Sequence, residues 1–197
     1  FHGQLHLTEP VQTRGYRHPI DTFFRSLAGD RREKSIGIVL SGTGSEGAVG
    51  LRHIKGEGGL AVTQDLKSAR YSGMPESAIG TGVVDKVLPP EKIPEYLLEY
   101  IKYNHPLTVK PELEEEGAEK TEEGLRNIFS LVRSRTGNDF SLYKRNTIQR
   151  RIEKRLAIHQ FTDIADYVRY LRSNPHEIDA LLKELLIRVT GFFRDNE

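Results

Sequence analysis

The chain has 197 residues, 37% of them hydrophobic and 29% charged, with no cysteine and a formal net charge of +1. That length holds one core or two modest ones, and the absence of cysteine excludes a disulfide framework. No apolar run approaches the roughly 18 residues that span a bilayer and no signal-like N-terminus is visible, so a cytoplasmic protein without membrane insertion is expected, and the near-balanced charge gives no global pull toward nucleic acid.

Up to about residue 104, short β-rich runs alternate with glycine punctuation and helical stretches. "SIGIVL" (Ser35 to Leu40), "GLAVTQ" (Gly59 to Gln64) and "GVVDKVL" (Gly82 to Leu88) read as strands, the first two apolar enough for a buried parallel sheet. Between them, "EGAVGLRHIKGEG" sets Ala48, Leu51 and Ile54 at helical spacing, and "MPESAIG" places Pro75 where a first helical turn accepts it. Strands separated by helices predict βαβ crossovers. A helix over Pro90 to Tyr103 closes this unit, with Ile93, Leu97, Leu98 and Ile101 expected on its apolar face.

Residues 105–120 combine prolines with an acidic run and almost no apolar side chains, which predicts a linker between a domain over 1–104 and another over 121–197. Beyond it a 3.6-residue period takes over. Leu125, Ile128, Phe129 and Val132 share one face of a helix stopped by Gly137, and Ile148, Ile152, Leu156 and Ile158 share a face of the next. A third helix opens at Thr162 as N-cap, and a fourth has Asn174 as N-cap with Pro175 first. The fold class expected is α/β, a partial Rossmann-like parallel sheet, followed by a small all-α domain of four helices.

The loop "SGTGSEG" (Ser41 to Gly47) follows a strand and precedes a helix, the usual place for a phosphate cradle. It matches neither G-x-x-x-x-G-K-[ST] nor a clean G-x-G-x-x-G, and Glu46 would repel a phosphate. Two readings stay open: the glycines only turn the chain while Glu46 favours the helix start, or the strand end carries Glu46 into a cleft where a carboxylate orients a histidine. No G-x-S-x-G elbow and no metal-ligand cluster is present.

The stretch from Ile36 to Pro94, with "SGTGSEG" followed downstream by "QD" and "GMPESA", closely resembles the chemotaxis protein-glutamate methylesterase family. "HPIDTFFRSLA" (His18 to Ala28) resembles that family's segment before the strand. The resemblance implies that Glu46 stands where the family has the aspartate of a Ser-His-Asp triad, with the serine and histidine expected upstream and this fragment inactive alone. The second half, ending in "TGFFRD", resembles the N-terminal helical domain of the chemotaxis protein-glutamate methyltransferase family. The implied order is that of a bifunctional methylesterase–methyltransferase hybrid. It implies S-adenosylmethionine as cofactor, with Thr190 and Arg194 on the family's pocket threonine and arginine and Arg188 where some members have asparagine.

"YKRNTIQRRIEKRL" gathers Lys144, Arg145, Arg150, Arg151, Lys154 and Arg155 against the single acid Glu153. A solvated basic face is one reading, and no nucleic-acid motif accompanies it. The resemblance implies another, in which this helix docks on acidic helices of a methyl-accepting chemoreceptor-like protein, with Arg150, Arg151, Lys154 and Arg155 expected on its outward side. The alternative to an enzyme is a non-catalytic scaffold of a bacterial signalling system, binding partners through the basic helix.

Overall fold

The computed structural model describes residues 4–7, 18–103, 114–140, 143 and 145–186. The chain divides into two compact units, Phe1–Glu95 and Tyr96–Glu197.

The first unit begins with helix α1 (Pro19–Arg31), whose proline sits in the first turn where a missing N–H costs nothing. Three strands follow in one parallel sheet: β1 (Ile36–Val39), β2 (Leu60–Gln64) and β3 (Lys86–Leu88), in the order β1-β2-β3. Helix α2 (Ala48–Gly56) connects the first pair and α3 (Gly73–Gly80) the second. Ile36 pairs with Leu60 and Val39 with Thr63, while Val62 pairs with Lys86 and Gln64 with Leu88. Every residue of central β2 is buried, as a strand flanked on both edges and covered on both faces requires. The core gathers Phe24, Ala28, Val39, Leu51, Ile54, Ala61 and Ala78.

Helices α1 and α2 meet closely because Gly50 leaves room. A Cβ there would lie 2.6 Å from Phe24 Cβ and 3.1 Å from the Asp21 Cα. The helices also cap each other. Asp21, buried in α1, accepts the Gly50 N–H of the first turn of α2 at 2.7 Å, and Glu46, just before α2, accepts the Ile20 N–H of the first turn of α1 at 2.6 Å. Each carboxylate thus satisfies an N–H that has no partner within its own helix. Gly50→Val is expected to destabilise this unit by about 2–3 kcal/mol through overpacking against Phe24. A urea midpoint equal to wild type would refute the close approach.

Helix α4 (Ile93–Tyr103) buries only part of the face expected, Ile93 with a half-buried Leu97, and turns its tyrosines inward instead of Leu98 and Ile101. Ile93, Tyr96 and Tyr100 are inside, whereas Leu98 and Ile101 are 72% and 56% exposed. The buried set follows i, i+3, i+7, so the stripe runs through the tyrosines, whose rings carry more area than the leucine they displace.

In the second unit, α5 (Glu114–Thr136) begins inside the acidic stretch read as linker. Glutamate, alanine and lysine are good helix formers, and acids at an N-terminal end suit the helix dipole. The helix stops where Gly137 takes φ +75°, its N–H returning to the Arg133 carbonyl at 2.9 Å. Helices α6 (Arg145–Ile158), α7 (Ile164–Ser173) and α8 (Pro175–Leu186) follow, and their apolar faces pack with that of α5. The cap of α7 is Asp163 rather than Thr162, its carboxylate accepting the Ala165 N–H at 2.8 Å. Leu125, Ile128, Val132, Ile148, Ile152 and Leu156 join Tyr167, Leu171 and Leu181 in the core.

Candidate functional site

The carboxyl ends of β1 and β2 open onto two loops, residues 40–47 and 65–72, where open α/β sheets place their chemistry. Glu46 stands at the far end of the first loop, half-buried, between Ser45 and a Gly47 held at φ +88°. A side chain at Gly47 would bring a Cβ to 2.9 Å from Val39 Cγ2, so both conformation and space call for glycine. The carboxylate is not loose. Its Oε1 is tied to the Ile20 N–H, leaving Oε2 for a further partner.

The two loops are laced together. The side chain of Gln64, the last residue of β2 and 4% exposed, accepts the Ser41 N–H at 2.8 Å and donates to the Ser68 hydroxyl at 3.1 Å. Ser41 Oγ accepts the Tyr71 N–H at 2.9 Å, the Gly42 N–H reaches the Tyr71 carbonyl at 3.0 Å, and the Met74 N–H reaches the Gly42 carbonyl at 2.9 Å. Ser68 Oγ donates to Asp65 at 2.6 Å, and Asp65 also accepts the N–H groups of Lys67 and Ser68. Single-sequence reading missed this lacing. The only available signal was a polar Gln64 closing an otherwise apolar buried strand.

The basic helix α6 is where the sequence expectation fails. Arg151, Lys154 and Arg155 are 7%, 4% and 8% exposed, not outward. Arg155 grips Glu177 of α8 through two of its guanidinium nitrogens, with Nε at 2.8 Å from Oε1 and Nη2 on Oε2. Lys154 Nζ lies 3.4 Å from Glu184 Oε1, and Arg151 donates to the Glu184 carbonyl. Tyr167 of α7 donates its hydroxyl to Glu177 Oε1 at 2.8 Å, and His159 Nε2 stands 2.9 Å from Glu177 Oε2. The physical reason is that α8 carries two acids, Glu177 and Glu184, seven residues apart on its own buried face, beside Ile178, Leu181 and Leu185. Burial pushes the Glu177 carboxyl up, yet the hydrogen bonds of His159 and Arg155, with the Arg155 charge, outweigh it and lower it from 4.5 to about 2. Burial first, and then the Glu177 charge, hold the Tyr167 phenol well above its usual 10.

Of the expected docking residues, Arg145 and Arg150 are exposed, Arg145 pairing with Glu122 of α5. Lys144, Arg188, Thr190 and Arg194 lie outside the described residues. Among the described residues no cluster of histidine, aspartate and glutamate has the makings of a metal site, and no helix is long and apolar enough to cross a membrane.

Two family models match the chain in succession. One, CheB methylesterase, covers residues 2–97, and the other, CheR methyltransferase all-alpha domain, covers residues 123–186. The chain carries a CheB-family methylesterase domain followed by a CheR-family all-alpha domain. A Rhodobacter capsulatus chain named "Uncharacterized 104.1 kDa protein in hypE 3'region" is 34% identical over 94% of this chain and 21% of its own length, so both domains have counterparts in one polypeptide. The protein-glutamate methylesterase/protein-glutamine glutaminase of group 3 operon of Rhizobium meliloti is 40% identical over 47% of this chain and 26% of its own. The crystal structure of the Thermotoga maritima CheB methylesterase catalytic domain is 37% identical, covering 40% of this chain and 42% of that one, with a TM-score of 0.40. The chain thus spans about a fifth to a quarter of the length of these curated relatives. In CheB-family terms, Glu46 and the Gln64-laced loops sit in the methylesterase half, and the buried ion-pair network sits in the CheR-like half.

Proposed function

We propose that this chain is part of a cytoplasmic chemosensory enzyme that removes methyl esters from glutamates of chemoreceptor-like proteins through its CheB half and adds them through its CheR half. The observation that carries the first activity is Glu46, a carboxylate fixed by one oxygen at the C-terminal edge of a parallel sheet within a CheB-family match. In this reading Glu46 orients a histidine in the tautomer that lets it take the proton of a nucleophilic serine, both groups supplied from outside these residues. The same acyl chemistry extends to glutamine side-chain amides, in keeping with the double name of the Rhizobium meliloti relative.

The second activity rests on the CheR-family match and on resemblance. S-adenosylmethionine supplies the methyl group, and Arg188, Thr190 and Arg194 are assigned to its pocket on the motif alone. For receptor docking, the exposed Arg145 and Arg150, with Lys144 beside them in sequence, remain the candidates. Arg151, Lys154 and Arg155 are committed to glutamates inside the unit.

A second reading, a scaffold without esterase activity, is favoured by the observation that Glu46 already serves α1 as a cap and is one methylene longer than the family's aspartate. Methanol release from a methylated receptor by the full-length protein decides between them. Release above the enzyme-free background is expected; none at any pH between about 6 and 9 establishes the scaffold.

A further inference from the structure

We propose that Gln64 is a positioning residue of the esterase site, holding the Glu46 loop in register with the loop after β2; this rests on the esterase reading above. The case is geometric. Gln64 is buried at the last position of the central strand, and both ends of its amide are used, one on each loop. The orientation of the amide follows from its partners, because Ser41 offers a backbone donor that only the carbonyl oxygen can meet.

Ser41 is the fixed end of a seven-residue segment, Ser41 to Gly47, whose other end is Glu46 and the start of α2. Between those ends the glycines leave the backbone few side chains to anchor it. Gly42 is held against Tyr71 and Met74 by two backbone hydrogen bonds, and a Cβ on Gly42 would lie 2.3 Å from Met74 Sδ. Gly73 runs so close to Gly44 that a Cβ there would lie 2.9 Å from its carbonyl oxygen. The loop therefore rests on the 65–74 segment from Ser41 to Gly44, while its Glu46 end is tied to Ile20. Gln64 bonds the loop through its side chain from inside the sheet. Releasing Ser41 frees the segment to slide along its neighbour, and a displacement of about 1 Å at a catalytic group is enough to cost about 100-fold in rate.

The test uses the full-length protein with Gln64→Met, which keeps bulk and shape but removes both hydrogen bonds. Amide hydrogen exchange at residues 41–47 is expected to rise at least 10-fold with exchange over residues 24–31 of α1, in the same unit, unchanged. On methylated receptor, kcat is expected to fall 10- to 100-fold with KM within about twofold, the signature of a displaced catalytic group rather than of weakened substrate binding. Ser68→Ala leaves the Ser41 bond intact, so faster exchange is expected in residues 65–72 and not in 41–47. Should Gln64→Met fail to fold, Gln64→Asn keeps the amide but withdraws it by one methylene from the Ser41 N–H and is expected to raise exchange at 41–47 more modestly, about threefold.

Unchanged exchange at 41–47 overturns the proposal, as does a rise shared equally by residues 24–31 of α1, which would mean general destabilisation of the unit. An active wild type with unchanged kcat in Gln64→Met overturns it too. A wild type that hydrolyses nothing defeats the esterase reading instead, and the exchange at 41–47 then decides on its own whether Gln64 holds the loop.

Discussion

Glu46→Gln in the full-length protein is expected to lower methyl-ester hydrolysis about 10³- to 10⁴-fold while leaving the melting curve in place. The variant separates the two roles open to this residue. Glutamine keeps a carbonyl oxygen for the Ile20 N–H, so the cap on α1 survives. It loses the charge that stabilises a histidinium and offers a donor where an acceptor is needed, and loss of the orienting carboxylate costs about 10⁴ in a serine-histidine-acid triad. Equal rates for the two proteins would mean that Glu46 is only a helix cap. Glu46→Asp probes reach: if the methylene misplaces the carboxylate, aspartate raises the rate, whereas a carboxylate that depends on its Ile20 tether loses it.

The second large effect belongs to the helical unit. Removing the Glu177 carboxylate with Glu177→Leu leaves Arg155 charged and 8% exposed, together with a Tyr167 hydroxyl that has lost its acceptor. Breaking one side of a buried pair costs about 3–5 kcal/mol, enough to unfold many domains of this size. Acid acts on the same group. The Glu177 pKa is lowered from 4.5 to about 2, so its contribution is complete above about pH 4.5 and is lost as pH falls toward 2. A lowering of that size corresponds to about 3 kcal/mol. Urea unfolding followed by far-ultraviolet circular dichroism from pH 7 to 2 should show the helical transition moving to lower urea across that window in wild type. In Glu177→Gln the shift should be smaller. Parallel pH curves for the two proteins would remove Glu177 from the account.

The α/β order was legible because parallel strands buried on both faces read as apolar runs, and β1, β2 and the end of β3 fall within the stretches that composition picks out. The four helices were legible from period and glycine or proline punctuation. What sequence could not resolve was which of two competing faces is buried. In α4 a leucine-isoleucine stripe and a tyrosine stripe lie side by side, and the tyrosines are inside. In α6 the cations were assigned to solvent because a buried charge needs a partner, and the partners, Glu177 and Glu184, lie over twenty residues away on another helix. The acidic start of α5 misled for a related reason: lacking apolar residues, it gave no periodic signal, although its composition favours a helix. Glu46 was visible as a lone acid among glycines. Its tie to Ile20, 26 residues earlier, was not.

The pairing of Arg155 with Glu177 bears on how this domain can diverge. A basic position kept for a partner's sake is free to change whenever the partner changes. Arg155 is instead bound to Glu177 of its own chain, and a single substitution at either position removes the main counter-charge of the other in the interior. Relatives are expected to keep the two together or replace both by apolar residues, and positions 154 and 184 should be inherited as a couple in the same way. Retained arginine and lysine along α6 would therefore record descent of an interior, and a test of the proposed receptor docking belongs at the exposed Arg145 and Arg150.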